Sequence, residues 1–387
     1  MIKIEDKTKC CGCHACYNIC PKKAIEMIED VKGFKYPNIN EDVCVNCNLC
    51  EKVCPVLKKI EVNNNPVSYA CYNKNEEVRK NSSSGGIFTL LAEKILEKNG
   101  VVYGASFNDA WLVEHIRIDN KDELYKLQTS KYLQSNINDT YKKAKSDLDD
   151  NKLVLFTGTP CQVNGFISYL RGKTYDNLYA QDIICHGVPS PKVWEKYLKY
   201  REELDGNRPV RINFRQKSEG WNLYALLLQY NNNAYETSYR DDLFMQAFLR
   251  NACLRDSCYS CSFKSKNRQT DITLADFWGV EDIVPEFNDN KGTSLLIVNT
   301  KKGEKLFENI KDKMIFQETD FESSIKPNPS MYESVNKPKN SDEFFENLDN
   351  YTFDELVDKY TIKPKKSSVF RRGINKIKII IKKLITK

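Results

Sequence analysis

Histidine is scarce: three in 387 residues, against fifteen cysteines. Any metal chemistry must therefore rest mostly on thiolates. Long apolar runs are missing too, since none approaches the roughly 18 residues of a membrane-spanning helix. The opening Met1-Ile2-Lys3-Ile4-Glu5-Asp6 is charged at once, so no secretory signal is expected. No G-x-G-x-x-G follows a strand pattern, which argues against a Rossmann site. The stretch from Gly165 to Gly172-Lys173-Thr174 puts six residues between its glycines where a P-loop has four, and a strand pattern follows it. Acid is absent from one place. Residues 363–387 hold ten of the 59 basic residues and no acidic one, leaving 49 basic against 53 acidic over the rest. The net charge of +6 thus belongs to a tail on a mildly acidic body. Such a body is a poor phosphate-binding surface, so no nucleic acid is expected as a partner. At 41% hydrophobic and 29% charged residues the composition is globular, with length for two or three domains. Many cysteines without an export signal predict a cytoplasmic, metal-ligating protein rather than a disulfide framework.

What is present is a repeated thiol pattern. Cys10, Cys13, Cys16 and Cys20, followed by Pro21, recur 34 residues later as Cys44, Cys47, Cys50, Cys54 and Pro55. This C-x2-C-x2-C-x3-C-P run is the signature of bacterial-type two-cluster ferredoxins, in which the fourth cysteine of each run reaches the other cluster. The spacing assigns Cys10, Cys13, Cys16 and Cys54 to one 4Fe–4S cluster, and Cys44, Cys47, Cys50 and Cys20 to a second. Zinc would pair two C-x2-C elements and has no use for the third cysteine of each run. Cys11 and His14 have no place in the pattern and are expected to be bystanders. A module of this kind moves single electrons and has no substrate pocket, so another part of the chain must generate or consume them.

From Val67 onward strand and helix patterns alternate, predicting an α+β chain: the small ferredoxin domain, then a larger body with a mixed sheet. Domain limits are expected at 1–60 (ferredoxin), 61–67 (linker), 68–150 and 151–335 (two parts of the body) and 336–387 (C-terminal extension). Ser82-Ser83-Ser84-Gly85-Gly86 opens an amphipathic helix, and Gly158-Thr159-Pro160-Cys161 opens another. Both are weak anion-site candidates at helix N-termini. A second thiol set is scattered: Cys161 and Cys185 each follow a predicted strand, and Cys253, Cys258 and Cys261 lie farther on. Parallel strands would bring the first two to one sheet edge. On spacing alone a further cluster, a plant-type 2Fe–2S centre, zinc, and buried structural thiols all stay open.

Five motifs then agree in order over residues 68–299: Ser-Ser-Ser-Gly-Gly-Ile-Phe from Ser82, Ser-Lys-Tyr-Leu-Gln-Ser from Ser130, Gly-Thr-Pro-Cys-Gln from Gly158, Ile-Cys-His-Gly-Val-Pro-Ser from Ile184 and Ala-Asp-Phe-Trp-Gly from Ala275. They resemble the beta subunit of coenzyme F420 hydrogenase/dehydrogenase. The fused ferredoxin resembles the electron-input subunits of reduced-F420 dehydrogenases, and bacterial members of this kind are linked to polysaccharide synthesis. The resemblance implies FAD beside a third 4Fe–4S cluster, held by Cys161, Cys185, Cys258 and Cys261, with Cys253 spare. It implies Ser84, Gly85 and Gly86 at the FAD pyrophosphate, and Lys131, Gln134 and Ser135 as ring or phosphate contacts. His186 and Asp276 lie in the motifs without an assigned role. The expected function is an iron–sulfur flavoprotein oxidoreductase joining hydride chemistry at FAD to one-electron transfer, with a redox protein or a small hydride donor or acceptor as partner. The alternative is a non-catalytic electron-transfer or scaffold protein. In the tail, Phe370, Ile374, Ile377, Ile381, Leu384 and Ile385 share one helical face opposite Lys376, Lys383 and Lys387. This pattern suits either peripheral contact with an anionic membrane or a docking helix.

Overall fold

The two cysteine runs build the same backbone twice. The computed structural model describes residues 1–361. In it, Gly12 and His14 take left-handed conformations at φ 66° and 62°, and Asn46 and Asn48, 34 residues later, repeat them at 52° and 56°. Each pair winds the chain back between thiols and leads into a short helix, Ala15–Ile19 and Leu49–Lys52. Between the runs, β1 (Ile25–Glu29) and β2 (Lys35–Ile39) form an antiparallel hairpin, pairing Ile25 with Ile39.

The body is built on β3 (Val67–Asn73), β4 (Val101–Phe107), β5 (Val113–Ile118), β6 (Val154–Gly158) and β7 (Leu178–Ile183). After β8 (Arg211–Gln216), β9 (Ala225–Gln229) and β10 (Ala234–Ser238) come β11 (Ile272–Asp276), β12 (Ser294–Val298) and β13 (Met314–Thr319). Eight of these form one sheet in the order β13-β3-β12-β11-β7-β6-β4-β5. Its centre, β4-β6-β7-β11, is parallel, and the strands on both flanks are antiparallel. This is the expected mixed sheet of an α+β chain. Strand β5 begins at Val113, after Trp111 has turned the chain in a left-handed conformation at φ 59°.

The period-two alternation of the central strands separates two apolar layers. Val102 and Leu155 face one layer with Leu91 and Ile95 of the helix Ile87–Leu96. Tyr103 and Phe156 face the other, with Val163 and Phe166 of the helix Pro160–Tyr169. Cys11, Cys13, Ala15 and Val53 join that second layer, so the ferredoxin module is packed into the body's core. A separate antiparallel sheet, β10-β9-β8, shares a core with the helices Pro191–Asp205 and Leu243–Leu249. Residues 341–361, set apart in the sequence as part of an extension, send Phe344, Phe353 and Leu356 into that same core. No helix among the described residues is long and apolar enough to cross a membrane. The amphipathic pattern from Phe370 onward lies outside the described residues.

Candidate functional site

Twelve of the cysteines ring three cavities in the sets predicted from their spacing and motifs. Cys10, Cys13, Cys16 and Cys54 line one small hollow. Cys20, Cys44, Cys47 and Cys50 line another. The exchange of the fourth cysteine between runs is therefore built into the fold. Backbone N–H groups already point at the sulfurs: Ile2 N donates to Cys50 Sγ at 3.4 Å, and Ala24 N to Cys20 Sγ at 3.3 Å.

The third cavity is lined by Cys161, Cys185, Cys258 and Cys261. Adjacent parallel strands bring the first two together. β6 ends into the helix that carries Cys161, β7 ends just before Cys185, and their carboxyl ends share one edge. Cys258 and Cys261 come from a 3-10 turn at Asp256–Ser260, and Val188 N donates to Cys258 Sγ at 3.5 Å. Burial pushes the Cys185 thiol up to about 12 and raises Cys258 as well. Cys253 is fully buried in the apolar core beside β8–β10, away from this cavity. His186 lines the cavity, but its Nε2 is engaged with Asn251 Oδ1 at 2.6 Å.

Sequence spacing missed Cys11. It lines both the first ferredoxin cavity and the third one, between Cys13 and Cys161. Only the docking of the module onto the body creates that position, and no local pattern marks it. His14 borders the first cavity, and its buried Nδ1 has no hydrogen-bond partner among the described residues.

Beside the third cavity, along the carboxyl edge of the parallel strands, lies an open cleft enclosing about 1350 Å³. Ser84, Gly86, Lys131 and Ser135 line it. Gly86 stands at φ 81° before the helix Ile87–Leu96, whose N-terminus has no side-chain cap and so offers free N–H groups to the cleft. Lys131 is half-buried on its wall, and among the described residues its Nζ donates to the carbonyl oxygens of Gln128 (2.8 Å) and Thr129 (3.3 Å). Burial alone pushes its amine down to about 7. His115, on β5, donates from Nε2 to the Thr157 carbonyl at 2.9 Å, and its Nδ1 accepts from Ser135 Oγ at 2.6 Å. Burial holds this imidazole neutral, down to about 4. Asp276 also borders the cleft, but its carboxylate is taken up by buried Arg215 (2.8 Å) and by Trp221 Nε1 (3.2 Å).

Two expected cofactor contacts lie elsewhere. Gly85 is wedged against the Cys71 carbonyl, and its N–H is spent on Ser294 Oγ at 2.9 Å. Gln134 faces the ferredoxin module, donating to the Cys11 carbonyl at 3.0 Å and accepting from Arg255. In an extended segment, neighbouring side chains point to opposite sides, so Ser135 reaches the cleft where Gln134 cannot.

Known families account for most of the chain. Residues 68–142 and 151–324 match, in turn, the N-terminal and C-terminal parts of the coenzyme F420 hydrogenase/dehydrogenase beta subunit. The chain belongs to this family. Residues 9–57 match a 4Fe-4S dicluster domain, so this family member also carries an iron–sulfur electron-transfer module. The chain is 49% identical over 56 residues to a polyferredoxin-like protein of Methanocaldococcus jannaschii, a match covering 12% of this chain and 33% of that protein. It is 26% identical over 169 residues to the coenzyme F420-dependent sulfite reductase of the same organism, covering 42% of this chain and 25% of the reductase. The family member thus spans less than two thirds of either relative. A chain of the F420-reducing NiFe hydrogenase complex from Methanosarcina barkeri aligns over 78% of this chain and 91% of its own, at 16% identity and a TM-score of 0.46.

Proposed function

We propose that this chain is an iron–sulfur flavoprotein oxidoreductase. In this reading FAD lies in the cleft, and a third 4Fe–4S group is held by Cys161, Cys185, Cys258 and Cys261. When bound, FAD supplies the exchange of one hydride for two single electrons, which the iron–sulfur groups carry one at a time.

The observation that carries the reading is contiguity. Thr159 and Ile184 line the cleft, while the next residues along the chain, Pro160-Cys161 and Cys185, line the third cavity. Cys11 then joins the third cavity to the first ferredoxin cavity. In this reading the two-electron site and the nearest single-electron site would be one or two residues apart.

The residues fit both groups. Four thiols around open space suit a polynuclear group. The cleft pairs an uncapped helix N-terminus with a half-buried lysine that has no anionic partner among the described residues, which suits a pyrophosphate or an anionic ring. Ser84, Gly86 and Ser135 would hold and orient the cofactor. Lys131 would supply the positive charge. His115 would fix the Ser135 hydroxyl through its Nδ1.

The test is an anaerobic screen of hydride donors, deazaflavin and nicotinamide among them, against the reconstituted protein. One donor should bleach both flavin and cluster absorption. If the clusters respond only to one-electron reductants while flavin is bound, the hydride reading fails and a plain electron carrier remains.

A further inference from the structure

We propose that Arg255 couples the ferredoxin module to the body electrostatically, and that its charge raises the reduction potential of the group held by Cys10, Cys13, Cys16 and Cys54. This inference rests on the dicluster domain and not on the flavin reading.

Arg255 comes from the body, three residues before Cys258, yet its side chain ends inside the ferredoxin module. It is 1% exposed. Its Nε donates to the Cys10 carbonyl at 2.8 Å, Nη1 to Gln134 Oε1 at 2.9 Å and Nη2 to the Lys35 carbonyl at 3.0 Å. Nη2 also lies 3.7 Å from Cys10 Sγ, and the guanidinium stacks over the Tyr36 ring at 4.1 Å. Gly12 makes the room: a Cβ there would fall 2.9 Å from the guanidinium carbon.

A buried cation needs an opposite charge close by. Arg255 finds carbonyls, an amide, a ring and thiols, and its field acts on Cys10, Cys11 and Cys258. A 4Fe–4S group with four thiolates is an anion, and it gains one more negative charge when reduced. The anion next to Arg255 is therefore stabilised more in its reduced form, which raises its potential. Arg255 lines the third cavity and reaches the first ferredoxin set through Cys10, whereas the second set faces Lys22 and the Met1 ammonium instead. The guanidinium fork also suits the site better than an ammonium would, since it meets three acceptors at once.

EPR-monitored redox titration of the reconstituted full chain tests this. In Arg255→Gln the midpoint of one ferredoxin group should fall by about tenfold in its redox equilibrium, which is about 59 mV for one electron. The other group should stay put as an internal reference. Arg255→Lys keeps the charge and should fall less. Gln134→Glu, which sets a carboxylate against the guanidinium without touching a thiol, should lower the same midpoint even if Arg255→Gln loses iron. Unchanged midpoints in Gln134→Glu and Arg255→Gln, or an equal shift of both groups, would overturn the proposal. Both ferredoxin signals are readable whether or not flavin and a third group are present, so failure here is separable from failure of the flavoprotein reading.

Discussion

Gly165, on the helix Pro160–Tyr169, and Cys13, in the first thiol run, touch across the joint between body and ferredoxin module. A Cβ on Gly165 would lie 2.8 Å from Cys13 Cβ and 3.0 Å from its Sγ. The same helix carries Cys161 into the third cavity, so one glycine lets two thiol sets approach each other. Gly165→Ala should therefore push the Cys13 loop outward. The expected cost is about 1–3 kcal/mol of overpacking, read as a lower thermal midpoint together with partial loss of iron. Full iron content and unchanged stability would show that the joint is looser than described.

Cys258 and Cys253 are five residues apart but occupy different settings, one on the third cavity and one in an apolar core. Cys258→Ala should remove four irons and leave about eight. Cys253→Ala should leave the iron count unchanged and lower only stability. Iron analysis with EPR of the two variants checks this. Equal iron loss in both would move the third ligand set.

Lys131 sets a pH dependence. In the free protein burial holds its amine at about 7, so above that pH the lysine is neutral. An anion in the cleft raises the value, and binding then takes up a proton. FAD affinity should accordingly be greatest below about pH 7 and fall by up to about tenfold per pH unit above it. Lys131→Met should bind more weakly and with a flat profile. Fluorescence titrations of FAD across that range decide it, and an equally steep profile in Lys131→Met would remove Lys131 from the anion site.

Asp276 is the partner of a buried arginine before it is anything else. Asp276→Asn leaves Arg215, 2% exposed, without its carboxylate. A loss on the order of 3 kcal/mol is expected, measured by denaturant unfolding. A variant of wild-type stability but poor turnover would instead mark Asp276 as a proton carrier.

Much of this was legible in the amino-acid order because the relevant distances are short along the chain. C-x2-C-x2-C-x3-C-P dictates its own loop, and the 34-residue shift even repeats the left-handed positions at Gly12, His14, Asn46 and Asn48. The strand–turn–helix pattern at Leu153–Cys161 likewise announced a sheet edge. What stayed hidden depends on contacts far apart in sequence. β13 pairs with β3 across more than two hundred residues, and Phe344 and Phe353 fill a core that also holds Phe34 and Trp194. Cys11 reads as a spare cysteine until the module docks, and Gln134 reads as a cofactor ligand until Arg255 arrives beside it.

In the proposed function one chain holds a hydride-handling flavin site beside three iron–sulfur sites. Anaerobic reconstitution with iron, sulfide and FAD, followed by quantitation of bound iron and flavin per chain, decides whether it does. The expected result is one flavin and about twelve irons, four for each of three groups. Absence of bound flavin, with iron stopping at about eight, would contradict it.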